Sequence, residues 1–110
     1  DIHTEGISAE KIKKLLEKHR TGKFTLVMSH QPLHYDLMAE TGNYLVFSGH
    51  THGGQIFPFH IFTKMFYRYF YGLYSIKDSF FYVTSGAGTW GPAMRWLAPA
   101  EIPVITLRTR

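Results

Sequence analysis

At 110 residues, with 45% hydrophobic and 18% charged residues, the chain suffices for one domain with a modest core and is too apolar for a disordered segment. It contains no cysteine, which excludes disulfides and thiolate metal sites, so any metal must be held by His, Asp, Asn or Glu. The formal charge of +4 suits an anionic ligand or surface, but no Lys/Arg block is dense enough to argue for nucleic acid as a partner.

The chain opens at Asp1 without an initiator Met or a targeting segment, and so reads as a piece of something longer. Ser8 is placed to cap a helix running to Arg20, with Ile12, Leu15, Leu16 and His19 at helical spacing and Ile7 stapled onto Ile12. Gly22 ends that helix. Residues 24–28 form a continuous apolar run of the buried-strand type, closed by Ser29-His30-Gln31-Pro32. Residues 33–40 read as a short helix, and 44–47 as a second buried strand. Ile61, Phe62, Met65, Phe66, Tyr69, Phe70 and Leu73 then predict a helix that covers the sheet, with Lys64 and Arg68 opposite. Residues 80–84 predict a strand leading into Ser85-Gly86-Ala87-Gly88-Thr89-Trp90-Gly91-Pro92. A last strand is expected over 102–107, at an edge or bulge because of Pro103. This order is that of an α/β fold whose strand-end loops carry the chemistry.

Two of those loops hold histidine. His30 follows the first strand, and Gly49-His50-Thr51-His52-Gly53 follows the second. If the two strands are parallel neighbours, all three imidazoles leave the same sheet edge. Glycines at 49, 53 and 54 allow a sharp bend and leave room for a substrate against the backbone. His50 and His52 can reach one ion or two adjacent ones, and spacing alone does not choose. Neutral imidazole is a common ligand of Zn, Mn and Fe. No motif supports ligation by His3, His19, His34 or His60, because a lone loop histidine is more often a surface or packed residue.

Ser29-His30-Gln31-Pro32, the later Ser48-Gly49-His50-Thr51-His52-Gly53-Gly54-Gln55-Ile56, the 85–92 stretch and Pro99-Ala100-Glu101-Ile102 together resemble the C-terminal half of the calcineurin-like metallophosphoesterases. Within that family the chain resembles the YaeI/YkuE-like bacterial branch of membrane-associated phosphodiesterases, over about residues 23–108. The resemblance implies half of an α/β/β/α sandwich, one mixed sheet flanked by helices, with 1–110 as the C-terminal part of a single domain. It implies two divalent ions (Mn, Fe or Zn) in the full-length protein, His30 and His50 on one and His52 on the other. The family's Asp-x-His, Gly-Asp and Gly-Asn-His elements are not convincingly present here. They would supply the other ligands and the proton donor, so no catalytic acid is assigned within these residues. Asp1-Ile2-His3 imitates the first element but reads as coincidence, since no strand precedes it. Three histidines do not reproduce a bridging carboxylate, so the 110 residues alone are expected to hold metal weakly and to hydrolyse little.

For substrate, Gly53, Gly54 and Arg95 are the candidates, Arg95 as a bidentate phosphate clamp or equally as a surface or carboxylate-paired arginine. Residues 57–72 are aromatic and basic but too interrupted to span a bilayer. Such a segment suits peripheral membrane contact and a lipid-linked phosphoester, and a phosphodiester more than a monoester. The rival reading is a non-catalytic metal- or anion-binding module with a membrane-docking role. A half-sandwich also exposes a sheet face, so association between copies is expected.

Overall fold

The computed structural model describes residues 8–20 and 22–108; Asp1-Ile2-His3 and the Ile7 staple lie outside them. Helix α1 (Ala9–Lys18) begins where Ser8 accepts a hydrogen bond from the Lys11 backbone N–H at 3.3 Å, and it ends two residues before the expected Arg20. Strand β1 (Thr25–Ser29), helix α2 (Tyr35–Thr41) and strand β2 (Tyr44–Ser48) follow. A 3₁₀ turn (His52–Gly54) leads to helix α3 (Phe59–Phe66), then to strands β3 (Gly72–Ile76) and β4 (Ser79–Val83).

One four-stranded mixed sheet results, in the order β1-β2-β4-β3. β1, β2 and β4 run parallel, and β3 returns antiparallel to β4. The α/β reading therefore holds. Parallel β1 and β2 require a crossover, and α2 supplies it.

Side-chain alternation gives the sheet two unlike faces. Val27, Val46, Phe81 and Tyr74 lie side by side in the strand register on the face that α1 and α2 cover. There Leu16, Tyr35, Met38 and Ala39 from the helices close over Tyr44, Val46, Phe81 and Val83. Tyr35 stacks on Phe81 with ring centroids 4.3 Å apart. Ser79 is fully buried and engaged at both ends, its Oγ accepting from the Tyr44 N–H and donating to the Gly42 carbonyl. The opposite face carries Leu26 and Met28 of β1 and Leu73 of β3, and all three are exposed, Met28 at 83%.

Three sequence expectations are corrected. The helical stripe stops at Phe66, and Leu73 lies in β3 instead. Tyr69 leaves the helix to pack on the core, and Asp36 of α2 accepts from its hydroxyl at 2.7 Å and from Arg68 at 3.0 Å. Beyond it, Leu73, Tyr74, Ser75 and Ile76 alternate outward and inward to a two-residue turn in which Lys77 has φ 53°. Nor does α3 cover the sheet: it packs on the His52–Gly54 turn and has no buried residue. Residues 102–107, expected as a strand, form none, and the four-stranded sheet does not include them.

Candidate metal centre

Ser29 and Ser48 are register partners at the ends of β1 and β2, so His30 and the 49–55 loop leave the sheet together. The Gly49 N–H still donates to the His30 carbonyl at 3.2 Å, extending the ladder by one bond. The chain then turns through an unusual run of left-handed residues: His50 (φ 68°), His52 (φ 50°), Gly53 (φ 59°), Gly54 (φ 77°) and Gln55 (φ 47°). Three of these are not glycine, a conformation that costs free energy and persists only where surroundings impose it. Gly54 N–H to Thr51 O, Gln55 N–H to His52 O and Thr51 Oγ1 to Phe70 O impose it here.

The bend brings His50 against His30. Nδ1 of His50 lies 3.0 Å from Nε2 of His30, with the rings edge-to-face at 4.8 Å. Nε2 of His50 lies 3.3 Å from the Gln31 amide nitrogen. The donor and acceptor roles along this Gln31–His50–His30 chain depend on the tautomer: with the amide nitrogen facing His50, the tautomer that fits carries its proton on Nδ1. A half-turn of the Gln31 amide would serve the other tautomer, leaving Nδ1 of His50 with a lone pair. Two nitrogens ~2.1 Å from one ion at a right angle stand ~3.0 Å apart, so this pair fits neighbouring ligands of a single cation.

His52 is placed differently. Its Nδ1 is buried with no hydrogen-bond partner. Burial pushes its pKa down, the Arg95 charge adds to that, the Gly88 carbonyl opposes it, and His30 adds a smaller downward push. The imidazole is therefore neutral at pH 7, the form a metal requires. Among the described residues no three or more His, Asp or Glu side chains gather closely enough to hold an ion, so His30 and His50 form a pair that His52 does not join. Of the other histidines, His19 caps α1, His34 precedes α2 with φ 61°, and His60 lies in α3.

Beside the imidazoles opens a cavity of about 770 Å³. His50, His52 and Gln31 line it together with Phe59, Phe62 and Phe66 of α3.

Over 101 residues the chain is 44% identical to an uncharacterized metallophosphoesterase of Helicobacter pylori (strain ATCC 700392 / 26695), a match covering 90% of this chain and 27% of that protein. It is 41% identical over 107 residues to the uncharacterized metallophosphoesterase Cj0846 of Campylobacter jejuni, covering 94% and 28%. The chain belongs to the metallophosphoesterases. It is also 36% identical over 100 residues to a transmembrane protein with metallophosphoesterase domain of Bos taurus, covering 88% and 22%. The chain thus spans about a quarter of the length of the curated relatives it matches. No family model and no solved structure matches it.

In this metallophosphoesterase chain the three substrate candidates have structural partners. A Cβ on Gly54 would lie 2.2 Å from the His60 Cα, and one on Gly53 would lie 3.3 Å from the Ser85 Cβ. The space at both glycines is taken by protein. All three guanidinium nitrogens of Arg95 donate to backbone carbonyls, those of His52, Ser85, Gly86, Gly88 and Ala98. Half-buried, Arg95 meets no carboxylate among the described residues; it ties the 85–88 stretch to the histidine loop.

Sequence reasoning passed over Gln55. It is buried, and its amide donates to the Trp90 and Pro92 carbonyls while its oxygen accepts from the Trp90 N–H. It passed over Tyr67 as well, whose ring stands edge-on to His50 at 5.9 Å. Gln31 was quoted only as part of a motif, yet its amide orients His50. A glutamine is usually on the surface, so nothing local distinguishes these two.

Proposed function

We propose that the protein carrying this chain hydrolyses phosphoesters at a pair of divalent ions, His30 and His50 serving one ion and His52 the other. The observation that supports this most directly is the 3.0 Å separation of His30 Nε2 and His50 Nδ1, a ligand spacing reached by bending the chain through left-handed residues. Bound cations would polarise phosphoryl oxygens and supply an acidified water.

The chain's own residues prepare the site. Gln31 orients the His50 ring and accommodates either tautomer. Burial keeps His52 neutral, with a buried nitrogen for a partner. Arg95 and Gln55 fasten the 85–92 stretch around the loop, so the imidazoles stand on a fixed backbone. Diester preference follows from charge. Among the described residues lining the cavity there is no Lys or Arg, and the guanidinium of Arg95 is committed to carbonyls. A diester monoanion needs less cationic support than a monoester dianion, and its second ester group has the cavity to occupy.

The test is metal content and manganese-dependent turnover of bis-p-nitrophenyl phosphate by the full-length protein. Two metals per chain are expected, with turnover falling on the order of 100-fold or more in His30→Ala and His50→Ala. Retained turnover in both variants would overturn the assignment. Tight metal binding without turnover of any phosphoester would favour the non-catalytic module.

A further inference from the structure

We propose that the cavity beside the imidazoles receives a linear alkyl chain, making the substrate an amphiphilic phosphodiester; this rests on the hydrolytic reading above. The first ground is α3 itself. Its sequence, Phe59-His60-Ile61-Phe62-Thr63-Lys64-Met65-Phe66, is dominated by apolar residues, yet none is buried and Phe62 is 54% exposed. The helix rests on the histidine turn and holds its phenylalanines over the cavity, not against the core. A row of apolar side chains kept out of the core beside a candidate catalytic site marks a binding surface.

The second ground is what the polar side chains of the cavity are doing. Thr51 Oγ1 donates to Phe70 O, Thr63 Oγ1 to Phe59 O, and the Gln55 amide to Trp90 O and Pro92 O. The Gln31 amide is turned to His50. Four of the polar side chains lining the cavity are therefore engaged within the protein. A sugar or nucleoside substituent would lose water and meet few free partners, which is costly. An alkyl chain needs none. The size agrees, since about 770 Å³ lies within the range of ~300–1,000 Å³ usual for small-molecule sites. The cavity has imidazoles at one side and phenylalanines at another, so one molecule that pairs a phosphoryl group with an alkyl chain satisfies both.

The experiment is a series of p-nitrophenyl alkyl phosphodiesters, methyl to octyl, held below their micelle concentrations, with the manganese-loaded full-length protein. kcat/KM is expected to rise about two- to fourfold per methylene until the groove is filled. Binding of unreactive alkyl methylphosphonates to the metal-free protein, followed by calorimetry, is expected to tighten along the same series. Phe62→Ser should lower the octyl-to-methyl ratio at least tenfold in both measurements, and Phe62→Trp should move the optimum to a shorter chain. Ratios within one variant cancel any loss of folded protein. A flat series in both measurements, or a thymidine ester preferred over the octyl ester, overturns the proposal. If no diester is hydrolysed but metal-free binding still tightens with chain length, the alkyl site stands and the hydrolytic reading falls.

Discussion

Gly54 shows how little freedom the histidine loop has. Its backbone is left-handed, and the space a side chain would need is occupied by the His60 backbone. Gly54→Ala is expected to cost about 1–2 kcal/mol from the left-handed conformation alone, and the overlap with His60 adds to that. Chemical denaturation of the full-length protein checks this, and an unchanged midpoint would refute it. Sequence reading placed a glycine here for flexibility and substrate access. The structure shows the left-handed bend and adds a second task, close packing of α3 onto the turn. Arg95 teaches a similar lesson. Its charge suggests an anion; in the structure its guanidinium donates to five backbone carbonyls, four of them within ten residues and the fifth, that of His52, 43 residues away.

Among the elements, the segment after β4 depends on Glu101. Its carboxylate accepts from the hydroxyls of Tyr71 at 2.7 Å and Tyr82 at 3.2 Å and from the Ser85 N–H at 3.0 Å. Burial pushes this carboxyl up, but hydrogen bonds from Tyr71, Thr84, Ser85 and Tyr82 outweigh it and hold the pKa below the ordinary carboxylate value. A depressed pKa means that the stabilisation is fully present above the unfolded value, ~4.3, and is lost as pH falls through the folded one. Glu101→Gln should therefore be less stable than the parent at pH 7, with the gap narrowing towards pH 3 in thermal melts. A gap that stays constant over that range would count against this role. The strand expected over 80–84 is β4, but its hairpin partner β3 escaped sequence reading because the aromatic run through Phe70 keeps a helical period up to Leu73. Tertiary packing of Tyr69 against Tyr35 broke that period, with ring centroids 4.9 Å apart.

At the scale of the whole fold, α1 and α2 cover one sheet face, while the other buries Leu45 but leaves Leu26, Met28 and Leu73 exposed. No helix of the described residues is long and apolar enough to cross a membrane. An apolar face of this kind favours burial against another surface, and in the isolated 110 residues a second copy is the surface at hand. Light scattering of that fragment at high concentration is expected to show association, and a monodisperse monomer would refute it.

Legible in the residues alone are the two short apolar runs that become β1 and β2 and the histidines that follow each of them. Given parallel pairing of those runs, which the strand register shows, His30, His50 and His52 leave the same sheet edge. How the chain closes sets the pairing of His30 and His50 at 3.0 Å, with no third His, Asp or Glu among the described residues near enough to complete a metal-holding group. The tertiary structure alone placed α3 over a cavity instead of on the sheet. Range explains the difference. Strand burial and capping are written in neighbouring residues, whereas the His30–His50 contact, the Arg95–His52 bond and the partners of Gln55 join residues 20 to 43 positions apart, whose meeting follows from how the whole chain closes.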